Sequence, residues 1–531
     1  MSSEEIELAE VNALLIGAGC ILLTLSGATA AYLSRSWIQS SFIYILLGAG
    51  CGGVLRALYG AGAQQQLASG LAFSDDFFFK VLLPLVVLDC GLNLKRENVD
   101  FYPNAMPIML FTVFGTLVSG LAIGFAMWGI GAGMVGAGYT PLNGTLSFDD
   151  MFDSLKFGAL ISPTDPVAIL SVLGSMGPLK DEQLYSIIFG ESVLNDAIAI
   201  VMFQVFDTFT DTPGAAWLKL LKAAGSIVGI ILGSTLLGVA LGLLSARLTR
   251  WWVVSESSAH FEVAAVFFTC YVAYLLGDLL RLSGIFTLFA CTLACSQYTM
   301  TNISPSAATT TDTGFKTVAW LAEAFIFFYL GVETTLAPLD GWDVPFILIV
   351  TALSFAGRGL VTSALAEMHN CAVPAEGKIR VRSQMVMLVA GLRGGTAYAL
   401  ALGWNNDPER IDQIETLTMG IILISLCGVG SAAGGIISLL GLQKEGGGAG
   451  KVDEARALLL EAEAGRHWLA RLDVRLKPHL TRYGQMPKIR RLSAPVLESP
   501  ARRPSGDIAI QGASLRGGTP RPGTGPLPAV L

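Results

Sequence analysis

Residues 189–201 read FGESVLNDAIAIV, a run apolar enough to lie within a membrane that nevertheless carries two carboxylates, Glu191 and Asp196. On a helix turning about 100° per residue, the two acids stand about 140° apart around the axis, whereas Glu191 and Asn195 are only about 40° apart. The acids therefore face different neighbours. One can be held in an ion pair while the other looks into a cavity. A charge inside a membrane span is costly, so it normally faces the protein interior, pairs, and marks an ion route.

Two nearby patterns have the same character. ISPTDPVAIL, residues 161–170, places Pro163 and Pro166 around Thr164 and Asp165. The prolines remove backbone donors and block a regular helix. GLRGGTAYAL, residues 391–400, places Gly391, Gly394 and Gly395 around Arg393. Interrupted spans at corresponding places in two halves of a chain point to an ion site near the membrane midplane of an inverted-repeat transporter.

The rest of the chain supports an all-α polytopic membrane protein. Of its 531 residues 53% are hydrophobic and 14% charged, with mean hydropathy +0.60. We predict about 13 spans, at 11–32, 41–60, 77–94, 104–130, 152–174, 183–206, 221–248, 260–277, 282–297, 315–335, 344–366, 383–404 and 414–442. If spans 1–6 and 8–13 form two inverted repeats around a linking seventh, the Pro-broken span 5 matches the Gly-broken span 12. With the C-terminus inside, ten Lys and Arg fall in inner loops against four in outer ones, as the positive-inside rule requires. Of two glycosylation sequons, Asn143 is then expected outside and Asn302 inside. The acidic start MSSEEIELAE lacks the basic region of a signal peptide.

Deep charges are expected at Asp89, Asp165, Glu191, Asp196, Glu323, Arg358 and Arg393. Lys80, Lys156 and Arg56 lie nearer span ends, where a long side chain reaches the interface, and read as structural. The eight cysteines fall mostly in apolar runs and read as core packing. Cys291 and Cys295 share a helix face, but the sequence shows no His or second Cys pair near them to complete a metal site.

After residue 442 the character changes. Residues 443–531 hold 15 basic and 8 acidic side chains, a net +7, which leaves −14 on residues 1–442. Within 443–484 the spacing of Ala455, Leu458, Ala462, Gly465, Leu469, Leu472 and Leu476 predicts a cytoplasmic helix with one apolar seam, suited either to a regulatory protein or to the inner leaflet. Residues 485–531 are basic, rich in Pro and Gly, and expected to be disordered.

Five stretches carry a family resemblance: LPLVVLDCG (83–91), SPTDPVA (162–168), FGESVLND (189–196), FFYLGVE (327–333) and GLRGG (391–395). Over about residues 11–442 the chain resembles eukaryotic sodium/proton exchangers. The resemblance implies a homodimer in which two broken helices cross near the membrane centre and an elevator-like movement exposes the ion site to each side in turn. It also implies an ion-binding set of Asp196, Asn195, Asp165, Thr164 and Ser192, with the transported Na⁺ on Asp196. Glu191 would pair with Arg358, and Arg393 would counter helix-end dipoles at the second broken helix. Members with Asn before the aspartate are typically electroneutral, so one Na⁺ or K⁺ is expected to exchange for one H⁺.

The chemistry agrees with that implication. A carboxylate that takes either a cation or a proton must be buried enough to hold the proton, but not so dry that a cation cannot displace it. A charged empty carboxylate is too costly to carry across a dry barrier, which couples the two fluxes. An ion channel or a non-transporting sensor on a transporter scaffold is the alternative, although no repeated selectivity-filter segment occurs. An intramembrane aspartyl protease fails because LLGDLL has Leu275 where the first glycine of its motif is needed, before Gly277 and Asp278. No enzyme activity, cofactor or nucleic-acid partner is expected. Membrane lipids are, and the plasma membrane and the endosomal, Golgi and vacuolar membranes all remain open.

Overall fold

The computed structural model describes residues 40–59, 77–93, 106–136, 148, 150–165, 182–210, 213–251, 259–336, 342–373, 378–404, 408–440, 476 and 479–480. Every element among them is helical: α1 (Ser40–Tyr59), α2 (Leu83–Asn93), α3 (Thr116–Gly136), α4 (Met151–Ile161), α5 (Glu182–Thr210), α6 (Ala216–Trp251), α7 (Ala259–Leu279), α8 (Gly284–Gln297), α9 (Pro305–Leu336), α10 (Val344–Ala372), α11 (Val381–Val389), α12 (Gly395–Leu402), α13 (Pro408–Leu423) and α14 (Ser431–Leu439). Each expected span from the second onward meets one of these helices. The first, 11–32, lies outside the described residues, as do Asn143 and nearly all of the tail.

Among the described residues, seven helices have the length and hydropathy of membrane spans: Met106–Gly133, Leu184–Thr210, Ala216–Arg250, Ala259–Leu279, Pro305–Leu336, Val344–Ala372 and Ile411–Leu439. The chain is a multi-pass membrane protein. Its helices divide sharply by burial: the most apolar window of α5 is 94% buried, whereas those of α6 and α7 are 22% buried. α5 is therefore central, and α6 and α7 turn most of their surface outward.

Local chemistry explains the irregular places. Pro84 has no N–H to return to the carbonyl of Lys80, and a π-helical turn, Phe78–Leu82, precedes α2. Two tyrosines of α7 serve the loosened carbonyls there, Tyr271 Oη donating to Lys80 O and Tyr274 Oη to Phe79 O, each at 3.0 Å. A bilayer supplies no water to such groups, so a neighbouring helix must. α4 is started by Asp150, which accepts from the backbone N–H of Phe152 at 2.6 Å and of Asp153 at 3.3 Å.

α6 is held by close backbone approach. Gly238 and Gly242, one turn apart, face α8 so tightly that an added Cβ would lie 2.3 Å from Thr287 O and 2.5 Å from Ala294 Cβ, respectively. Small residues at such an interface replace the hydrophobic drive that lipid cannot provide.

The sequon expected on the inner side is structural. Asn302 is buried, and its side-chain amide donates to Ala246 O at 3.0 Å and to Leu480 O at 2.9 Å. Arg247 donates to His479 O at 3.2 Å, and Leu480 and Leu476 pack with Ala246 and Tyr298. Of the apolar seam expected in the tail, Leu476 is the described member, and its neighbours are α6 and the segment after α8 of the same chain.

Candidate ion-binding site

The site begins where two helices stop. Pro163 brings no N–H to continue the helical ladder, and α4 ends at Ile161, with Ser162 still in helical dihedrals and residues 162–165 outside the regular helix. The second half of that expected span lies outside the described residues. α11 ends at Val389, and α12 begins at Gly395 after an extended Gly394. These two interruptions meet. The Asp165 N–H donates to Leu392 O at 2.7 Å, so one break supplies a backbone partner that the other break's helix has lost.

Arg393 crosses the same junction. Its Nη1 donates to Ser162 O at 2.8 Å and to Pro163 O at 3.1 Å. Its guanidinium sits against the carbonyl end of α4, where the helix carries partial negative charge. The glycines around it are there for space. An added Cβ at Gly394 would lie 2.7 Å from Asp165 Cβ, and one at Gly391 would lie 2.4 Å from Arg358 Cδ.

α5 presents its polar residues to this junction. Asn195 donates its side-chain amide to Thr164 Oγ1, and Asp196 Oδ2 accepts from Thr396 Oγ1 at 2.8 Å. The other oxygen of each, Asn195 Oδ1 and Asp196 Oδ1, is buried with no hydrogen-bond partner among the described residues. A cavity of about 50 Å³ opens beside Asp196 and is also lined by Thr164, Asp165, Glu323, Gly394 and Thr396. That is room for a few waters or a partly hydrated cation. Oxygen donors of this kind suit a hard cation.

Glu191 faces elsewhere, as the helical spacing anticipated. Arg358 Nη2 of α10 donates to its Oε1 at 2.9 Å, and both side chains are buried. Ser192 is buried on α5 but does not belong to the lining of the cavity. Lys156 departs from its reading as an interface-reaching residue. It is 1% exposed, pairs with Asp207 of α5, and lies over the rings of Trp404 and Phe203 at 4.1 and 4.9 Å. Asp207, one residue beyond the expected span 183–206, belongs to the last turns of α5.

Two residues join the site that sequence reasoning did not assign to it. Glu323 stood out as a deep charge without a partner in the pattern, and α9 brings it to the cavity. Thr396 gave no signal beyond following the glycine run directly, because a threonine in an apolar helix ordinarily bonds its own backbone.

Comparison with known proteins agrees with this architecture. The family profile described as "Sodium/hydrogen exchanger, transmembrane" matches residues 20–437. The chain is 34% identical over 382 residues to Sodium/hydrogen exchanger 1 of rice, covering 70% of this chain and 66% of that protein. It is 32% identical over 383 residues to Sodium/hydrogen exchanger 3 of Arabidopsis thaliana, covering 70% and 71%. With human Sodium/hydrogen exchanger 5 the identity is 33% over 402 residues, covering 74% of this chain and 42% of that protein. The chain thus spans about two thirds of its plant relatives and under half of the human one. The solved structure of the sodium proton antiporter MjNhaP1 from Methanocaldococcus jannaschii at pH 8 has the same fold, with TM-score 0.59 and 18% identity over 82% of this chain and 99% of that one. With the family profile matched over most of its length, this chain belongs to the sodium/hydrogen exchanger family.

Proposed function

We propose that the chain is a secondary antiporter that exchanges one Na⁺ or K⁺ for one H⁺ across its membrane, with Asp196 holding each in turn. The observation that carries this reading is the position of Asp196: one carboxylate oxygen is oriented by Thr396, and the other has no hydrogen-bond partner among the described residues and lies beside a cavity at the meeting of two broken helices. A cation entering that cavity finds oxygen ligands on Asp196, Asp165 and Thr164, with Glu323 also in its lining. Asn195 spaces the carboxylate by bonding Thr164, and as an amide it adds no second titrating charge beside Asp196. One carboxylate that leaves loaded with a cation and returns loaded with a proton moves no net charge, so exchange is electroneutral. Its empty anionic form is the one that a dry barrier rejects, which obliges exchange rather than leak.

The alternating movement is elevator-like: the crossing and α5 shift as a body, the two breaks joined by the Asp165–Leu392 and Arg393–Ser162 contacts and α5 tied to them by the Asn195–Thr164 and Thr396–Asp196 hydrogen bonds. The working unit is a homodimer in the plasma membrane or an endomembrane, its C-terminus cytoplasmic, and residues 443–484 form the segment on which a regulatory protein would act.

The test is internal pH in proteoliposomes carrying wild type or Asp196→Asn, with Na⁺ and K⁺ imposed separately and a protonophore control. Cation-driven alkalinisation or acidification by wild type and its loss in the variant are expected, with no membrane potential developed. Current carried without proton movement would replace the antiporter with a channel, and a potential built up by exchange would overturn the 1:1 stoichiometry.

A further inference from the structure

We propose that Cys270, Cys291 and Cys295 form a binding site for one copper(I) ion, separate from the transport site, that staples α7 to α8. The sequence offers only Cys291 and Cys295, one turn apart on α8, which is too few ligands for a metal. The fold adds Cys270 from α7. All three side chains are fully buried, and their sulfurs all lie within 4.8 Å of one another. Packing alone would ask only for three small apolar groups. Three sulfurs brought together from two helices also offer a ligand set for one ion.

The donor set selects the ion. Thiolate sulfur favours soft cations, copper(I) and zinc among them. Structural zinc is almost always held by four protein ligands. Among the described residues, no His, Asp or Glu joins the three sulfurs. The hydroxyls of Ser245 and Thr299, bonded to each other at 3.4 Å, lie beside Cys295. A three-coordinate copper(I) suits such a set. At a metal–sulfur distance of about 2.3 Å, a trigonal ion holds its sulfurs about 4 Å apart, so the cluster closes on it by small side-chain rotations. Each sulfur that binds as thiolate releases a proton, so uptake strengthens as pH rises.

The location is closed and mechanically central to the outer helices. Gly238 and Gly242 of α6 press on the backbone of α8 at Cys291, and Thr292 of α8 packs on Gly91 of α2. An ion tying α7 to α8 therefore stiffens the layer to which α6 and α2 are attached.

The test uses the full chain, reduced and anaerobic, in lipid nanodiscs, titrated with copper(I) against a chromophoric chelator, followed by X-ray absorption at the copper edge. Expected are one ion per chain, three sulfur ligands, a raised melting temperature, and a loss of affinity of at least about tenfold in each of Cys270→Ser, Cys291→Ser and Cys295→Ser. Cys371→Ser, an exposed thiol on α10, leaves binding unchanged. Two or fewer sulfurs on the copper of the wild-type protein, undiminished affinity in the single variants, or preferential retention of zinc(II) would each overturn the proposal. The absorption measurement needs no variant, so it decides even if a substitution impairs folding. No binding above that of empty nanodiscs would return the cluster to core packing.

Discussion

α5 and α6 are the two helices that a soluble protein would arrange the other way round. α6 is the more apolar, with a span hydropathy of 2.4 against 1.6, yet its window is 22% buried and that of α5 94%. Leu232 and Leu236 of α6 are 58% and 73% exposed, while Glu191 and Asp196 of α5 are 5% and 9% exposed. Lipid is as apolar as leucine, so burying α6 would gain nothing, and burying charge on α5 keeps it away from hydrocarbon. What holds each helix differs accordingly. α5 is held by directed polar contacts, and α6 by the close approach of glycines.

The largest effect that tests this contrast is at Asp196, where Asn should abolish exchange while leaving the folded protein and its oligomeric state intact by size-exclusion chromatography. Next is Arg358→Leu. It strands Glu191 among buried groups and should cost about 3–5 kcal/mol, seen as lost expression or a much lower melting temperature. The double variant Glu191→Leu/Arg358→Leu should recover most of that loss. If the double variant is as unstable as the single, the pair is not what fixes α5.

Thr396→Val is smaller. It removes one hydrogen bond to a carboxylate, worth about 1.5–3 kcal/mol of stability, and should both lower the melting temperature and change the apparent cation affinity in the proteoliposome assay. A lowered melting temperature with unchanged cation affinity would make Thr396 a packing residue instead. On α6, Gly238→Ala forces a methyl to within 2.3 Å of Thr287 O and should cost about 1–3 kcal/mol by overpacking. Leu236→Ala, on the outward face, should change stability by no more than about 0.5 kcal/mol. A large effect there would mean that this face meets protein, such as a second copy of the chain, and would weaken the contrast drawn here.

Much of the site was legible before the fold. Two acids about 140° apart on one helix had to face different neighbours, and they do: Arg358 for Glu191 and Thr396 for Asp196. Proline around Asp165 and glycine around Arg393 announced two interrupted helices, because those residues act on their own backbone. Local covalent constraints of this sort are written at the position where they operate. Lys156 was misread for the complementary reason: nothing within a few residues of it reveals that Asp207, Phe203 and Trp404 will enclose it.

By itself, then, the sequence determined that the chain is helical and membrane-spanning, where two helices break, and which charges lie too deep to be left to lipid. These follow from hydropathy, backbone chemistry and the cost of burying charge, each of which acts locally. Only the tertiary structure decided which partners close those charges: that Arg393 serves the end of α4, that Thr396 and Glu323 join Asp196 at the cavity, and that Cys270 meets Cys291 and Cys295. Those contacts run between helices far apart in the chain, and residue spacing carries no record of which helix faces become neighbours.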